Sequence, residues 1–163
     1  MQINEGRFMA KKYWLVKSEP EAFSIEDLKK SKNKTTYWDG VRNYQARNYL
    51  RDEMKKGDGV LFYHSNTEPN EIVGVCEVVK EGYPDHTPFD PDSHHFFPSA
   101  NPENPVWFMV DIKLVKEFKT PVVLNEIKEN SKLKNMKLLQ RGNRLSVMPV
   151  AMDEWDEILK MGE

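Results

Sequence analysis

A single cysteine among 163 residues rules out an internal disulfide, and with it the stapled scaffolds of small secreted domains. That residue, Cys76, lies in the run Ile72-Val73-Gly74-Val75-Cys76-Glu77-Val78-Val79. A reactive thiol needs an accessible, electropositive setting, so a core thiol is expected here. Apolar runs are short throughout. None approaches the ~20 residues of a membrane helix, and Met1-Gln2-Ile3-Asn4-Glu5-Gly6-Arg7-Phe8 lacks the apolar centre of a signal peptide. These absences predict an intracellular protein with no membrane partner, cytoplasmic in a bacterium or nuclear in a eukaryote. There is no P-loop, no dinucleotide fingerprint, no internal repeat and no low-complexity segment. His86, Asp90, Asp92, His94 and His95 crowd one loop, but their spacing matches no strong metal motif. Neither a metal nor a cofactor is therefore expected.

What remains is enough for one domain with a genuine core and too little to expect two. Aromatic residues make up 11% of the chain, which argues against disorder despite the high charge. Residues 1–11 read as a leader or disordered N-terminus, with Met9 a plausible start, and residues 12–163 as a single domain. The net charge of -2 hides a segregation. Lys29, Lys30, Lys32, Lys34, Arg42, Arg47, Arg51, Lys55 and Lys56 crowd the first third, and Lys128, Lys132, Lys134, Lys137, Arg141 and Arg144 form a second basic stretch. Brought onto one face they would track a phosphate backbone; kept apart they are solvated helix faces.

Short strands alternate with short helices. Tyr13-Trp14-Leu15-Val16-Lys17 reads as a strand ended by Pro20, and Ser24 with Asp27 carries a capping-box pattern that predicts a helix start. Ala46, Leu50 and Met54 form an i, i+4, i+8 stripe, predicting a helix over residues 43–54 stopped by Gly57. Residues 60–64 and 72–79 are β-rich runs joined by a polar turn, a predicted hairpin. A loop over residues 82–105 follows. In residues 107–115, Phe108, Val110, Ile112 and Leu114 alternate cleanly with other residues and predict a strand. Helices are expected over 124–129, 133–139 and 152–160, with a last strand over 145–150. Trp155 and Ile158 or Leu159 would pack the final helix, and Trp14 belongs to the core. With few helices long enough for parallel crossovers, the fold class is α+β, a small and mostly antiparallel sheet with decorating helices. Closing it towards a barrel would remove exposed edges and make a mouth for a ligand.

The segment Trp38-Asp39-Gly40-Val41-Arg42-Asn43-Tyr44-Gln45-Ala46-Arg47-Asn48 concentrates the functional signal. A Trp beside Asp-Gly sits at a turn, where an indole is either a lid on the core or a platform for a planar guest. Arg42 and Arg47 follow it, and guanidiniums match phosphate oxygens with a fork of donors that never loses charge. Together these residues suit a nucleotide. An enzyme is not expected. Asp39, His64 and Ser65 have the residue types of an acyl-transfer triad, but adjacent His and Ser on a strand point to opposite faces, and no G-x-S-x-G elbow exists.

Several motifs recur in order: Tyr13-Trp14-Leu15-Val16-Lys17-Ser18-Glu19-Pro20, the Trp38 segment, Phe62-Tyr63-His64-Ser65, Tyr83-Pro84-Asp85 and Arg144-Leu145-Ser146-Val147. Together they resemble the EVE domain family from about Lys12 to the end of the chain. The resemblance implies a PUA-like pseudo-barrel of mostly antiparallel strands with flanking short helices. It also implies a reader that holds an extruded modified base, with modified cytosine in DNA the leading partner and RNA the other. The opposing reading is a sensor or enzyme that takes a small nucleotide or planar metabolite in the same pocket. In a base pocket, Trp38 would stack on the guest, Tyr63 and His64 would supply the other wall or meet the base edge, and Ser18 and Ser65 would read an exocyclic group. Lys17, Arg42 and Arg47 would take flanking phosphates. Asp39 either accepts from a base amino group or anchors its own turn. Of Tyr63 and His64, one is expected to face inward as packing only. Lys17 could instead pair with Glu19 at the surface, and Trp107 either lines a groove or covers the barrel wall.

Overall fold

The computed structural model describes residues 11–163. Apart from Lys11, the expected leader lies outside the described residues. The strands are β1 (Tyr13–Ser18), β2 (Thr35–Tyr37), β3 (Gly59–His64), β4 (Glu71–Pro84), β5 (Phe108–Val123) and β6 (Val147–Val150). They form one sheet in the order β2-β5-β4-β3-β1-β6. Every neighbouring pair is antiparallel except β1 with β3, which run parallel from Tyr13 opposite Gly59 to Ser18 opposite His64. No long helix makes this crossover. The connection is assembled from helix α1 (Ile25–Lys30), β2 and helix α2 (Tyr44–Asn48). This parallel pair puts the C-terminal ends of β1 and β3 side by side, under the segment that carries Trp38.

Two elements outgrow their sequence signals. β4 continues to Pro84, through what reads as loop from Gly82, and β5 continues to Val123. Their pairing changes register repeatedly, and such bulges bend and twist a strand pair, curling this long ribbon around the core. The open ends of the sheet are β2 and β6, so the barrel is a pseudo-barrel. β2 itself is unannounced, because Thr35-Thr36-Tyr37 follows a lysine-rich turn and is too short for a hydrophobic period.

The helices show what local signals decide. At α1 the capping box forms as expected: the Ser24 hydroxyl accepts from the Asp27 N–H at 3.2 Å and the Asp27 carboxylate from the Ser24 N–H at 2.8 Å. The predicted 43–54 helix is shorter. α2 begins at the Asn43 cap, then widens into a π-type turn over Tyr49–Glu53. Ala46, Leu50 and Met54 are all buried, so their stripe finds the core although the helical geometry changes beneath it. The expected 133–139 helix is replaced by 3-10 turns at Ser131–Leu133 and Lys137–Leu139, separated by Met136 in an extended conformation. Helices α3 (Leu124–Glu129) and α4 (Met152–Met161) form where expected, and α4 packs through Trp155 and Ile158. Cys76 is a buried core thiol, and burial pushes its pKa up.

One buried carboxylate ties the start of β1 to the turn before β3. Asp58 accepts from the Trp14 indole N–H at 3.0 Å, the Lys55 N–H at 2.9 Å and the Lys12 N–H at 3.2 Å. Removing an acceptor from a buried site leaves its donors unpaired. Asp58→Ala is therefore expected to cost roughly 2–3 kcal/mol, read as a lower denaturant midpoint in equilibrium unfolding.

Candidate functional site

β2 sets the position of Trp38. One hydrogen bond past the strand, the Trp38 N–H donates to the Val110 carbonyl at 2.8 Å, continuing the pairing with β5. Alternation along this strand sends Tyr37 out, 46% exposed, and Trp38 in, 8% exposed. The indole meets the Phe62 ring edge-on at 5.6 Å. Trp38 thus closes the core, as the lid reading expects, and its remaining margin borders a cavity of about 500 Å³. Lys17 and Ser18 line this cavity from the end of β1, Tyr37 from the end of β2, Asp39 and Gly40 from the segment after it, His94 and His95 from the long loop, and Ser146 from the approach to β6.

The cavity wall depends on Gly40 and Asp85. Gly40 adopts φ +75, and a β-carbon there would lie 2.6 Å from the His95 Nε2, so the loop histidine closes directly over a bare backbone. The Gly40 N–H donates to the Asp85 carboxylate at 2.9 Å. The same carboxylate accepts from Arg42 at 3.1 Å, from the Thr87 N–H at 2.8 Å and from the Thr87 hydroxyl at 2.6 Å. Burial pushes the Asp85 carboxyl up. The hydrogen bonds from the Thr87 hydroxyl, the Gly40 and Thr87 N–H groups and Arg42 outweigh it and hold the group below its ordinary range.

The expected site residues divide. Ser18, Trp38, Asp39 and Lys17 come together at the cavity. The Ser18 hydroxyl donates to the Phe23 carbonyl. Lys17 is half-buried, burial lowers its ammonium pKa, and among the described residues neither Glu19 nor any other carboxylate pairs with it. Asp39 does not anchor its turn: its carboxylate makes no hydrogen bond to another described residue. Tyr63, His64 and Ser65 do not line the cavity. Tyr63 is buried beside the Asn70 side chain, and burial pushes its phenol up to about 12. The His64 Nε2 accepts the Ile25 N–H at 3.1 Å, capping α1, and burial lowers its pKa. The Ser65 N–H donates to the Ser18 carbonyl at 2.9 Å. β3 is an interior strand buried from Gly59 to Tyr63, and at its half-buried end His64 is turned to the start of α1.

Arg42 and Arg47 are both engaged within the fold. Arg42 pairs with buried Asp85 and lies 5.4 Å from the Trp107 ring centroid. Arg47 donates to the Val106 carbonyl at 2.7 Å and lies 5.1 Å from the Tyr44 ring centroid. Trp107, expected on the barrel wall or in a groove, lines a second cavity, which shares His95 with the first. The freer cations are elsewhere. Lys137, Arg141 and Arg144 surround a shallow depression with Asn43 and Gln45, with no acidic partner among the described residues. Leu145 and Ser146 connect that depression to the Trp38 cavity. Part of the second basic stretch therefore does meet the segment after Trp38. Asp85, His95, Tyr37 and Ser146 were not nominated from sequence. Asp85 and Ser146 lie within the motifs Tyr83-Pro84-Asp85 and Arg144-Leu145-Ser146-Val147, and His95 within the histidine-bearing loop, but none of these signals points to the cavity by itself.

Comparison with known proteins gives consistent matches. The EVE domain profile matches residues 12–161. Thymocyte nuclear protein 1 of Gallus gallus is 47% identical over 168 residues, covering 93% of this chain and 69% of that protein. A hypothetical protein from Leishmania major superposes with a TM-score of 0.88 at 47% identity, covering 94% of this chain and 96% of its own. The human THYN1 protein, solved in complex with 5-methylcytosine-containing DNA, superposes with a TM-score of 0.87 at 45% identity, covering 94% of this chain and 98% of its own.

Because its carboxyl pKa is depressed in the fold, Asp85 contributes stability above the unfolded-state value of about 3.9, and that contribution is lost as pH falls through the folded value. Asp85→Asn is expected to lower the denaturant midpoint clearly at pH 7, with the gap to wild type closing below about pH 4. A gap that stays constant with pH would show that the charge of Asp85 does not hold the loop.

Proposed function

The chain belongs to the EVE domain family, and from this we propose that it is a nucleic-acid reader that holds an extruded modified cytosine of DNA in the cavity beside Trp38. The observation that carries the reading is its likeness, along nearly the whole chain, to a protein solved with 5-methylcytosine-containing DNA. A cavity of about 500 Å³ is ample for one base. Extrusion costs a few kcal/mol of stacking, and one aromatic contact returns about 1–3 kcal/mol per base. Trp38 offers such a contact while its burial keeps the ring immobile. The free carboxylate of Asp39 suits the exocyclic amino group of cytosine, for which a carboxylate acceptor is the natural partner. Lys17 brings a partly desolvated cation to the same space.

The strand's phosphates are assigned to Lys137, Arg141 and Arg144, because Arg42 is neutralised by Asp85 and Arg47 is spent on Val106. Such contacts fix register without reading sequence. A binding role without catalysis is supported by His64, whose acceptor nitrogen is occupied by the Ile25 N–H. Residues 12–163 would act as one domain. An intracellular setting, with DNA or RNA at hand, accords with this role, and no helix among the described residues is long and apolar enough to cross a membrane.

A competition panel of cytosine- and adenine-modified oligonucleotides, in DNA and RNA backbones and at two salt concentrations, tests the proposal. Modified-cytosine DNA is expected to bind best, with affinity falling steeply as salt rises. Trp38→Ala should weaken modified oligonucleotides by roughly tenfold or more, and Asp39→Asn, at a less buried position, should reduce the preference for cytosine. Lys137→Ala with Arg144→Ala should weaken modified and unmodified strands about equally and flatten the salt slope. Binding that ignores salt and prefers a free nucleoside would replace the reader with a small-molecule sensor.

A further inference from the structure

The second cavity, of about 510 Å³, is separate from the one beside Trp38 but shares His95 with it. Its floor is a layered stack. Tyr44 and Trp107 lie nearly parallel, 28° apart with centroids at 5.0 Å, and Arg47 and Arg42 lie close to their rings at 5.1 and 5.4 Å respectively. Guanidiniums within about 6 Å of an aromatic centroid are attracted by the ring quadrupole, so the four side chains brace one another. Tyr44 is nevertheless 62% exposed, and Phe97, on the lining of the same cavity, is 59% exposed. Asn101 and Asn104 place carboxamides at the same opening. A braced π-surface with a further exposed ring on the same lining, carboxamide-bearing residues beside them and two guanidiniums against the stack, matches the chemistry of a planar, polar-edged heterocycle.

We propose that this cavity takes a second nucleobase, one unstacked when the neighbouring modified cytosine is withdrawn, held against the Tyr44–Trp107 pair and Phe97. The inference rests on the reading of the chain as a nucleic-acid binder. His95 stands between the two chambers, as expected if adjacent bases are separated and held in different pockets. The second site is indifferent to modification, because the methyl-bearing base occupies the Trp38 cavity. Stacking on an aromatic surface is tolerant of sequence, so this site adds affinity and strand separation but no specificity.

The experiment uses an unmodified single-stranded tetranucleotide carrying 2-aminopurine, whose fluorescence is quenched on stacking. Quenching is expected with the wild-type chain. It should be lost, with affinity lowered roughly tenfold, in Trp107→Leu and in Phe97→Ala, the latter exposed and tolerated by the fold. An unquenched probe with the wild-type chain, or quenching unchanged in both variants, overturns the second site whatever the outcome for modified cytosine. A chain that quenches through Trp107 but shows no preference for modified strands would retain this site and remove the reader assignment.

Discussion

The buried carboxylate of Asp85 is the constraint on which the site depends. Four donors from three residues converge on it, drawn from the segment after β2 and from the start of the long loop. A buried anion is tolerable only when so satisfied, and the arrangement works in both directions. It fixes the backbone of Gly40 where the first cavity needs a wall without a side chain, and it turns Arg42 towards Trp107, where the second cavity needs a braced ring. Both partners of this ion pair line the second chamber, and the Gly40 hydrogen bond ties the same carboxylate to the wall of the first.

In the proposed reading, Trp38 would serve stability and binding with one ring. Its contact with Phe62 and its hydrogen bond to β5 hold the ring in place, so little conformational freedom remains to be lost when a guest stacks on it. The same logic distinguishes the cations. Arg42 and Arg47 have been recruited to brace aromatic rings, whereas Lys137, Arg141 and Arg144 face solvent without acidic partners among the described residues and retain the charge that a phosphate backbone would meet. A guanidinium close to an aromatic residue in sequence is thus no guide to which of these duties it performs.

Local chemistry was legible wherever it acts over a few residues. The Ser24–Asp27 capping box, the Ala46-Leu50-Met54 stripe, the alternation around Val110 and Ile112 and the packing of Trp155 and Ile158 all depend on near neighbours, and all appear in the fold. The π-type turn at Tyr49–Glu53 and the 3-10 turns around Met136 were hidden because an apolar period reports which residues face the core, and several backbone geometries satisfy the same period. Tyr63 and His64 show the limit for the site. They sit at a strand end, but whether that end opens to a ligand depends on α1 packing over it, which is a property of the assembled sheet.

The amino-acid sequence by itself determined the family, the α+β character, the absence of disulfide chemistry, and Trp38 as the centre of interest, because these are written in contiguous motifs and composition. Only the tertiary structure decided that Asp85 anchors Gly40 and Arg42, that His95 divides two chambers, that Ser146 shares a cavity with Trp38, and that the Lys137–Arg144 turn meets Asn43 and Gln45. Those relations join residues far apart in the chain, and the physical reason is that the parallel β1–β3 pairing and the bent β4–β5 ribbon, set by long-range hydrogen bonding and burial, choose which distant side chains become neighbours.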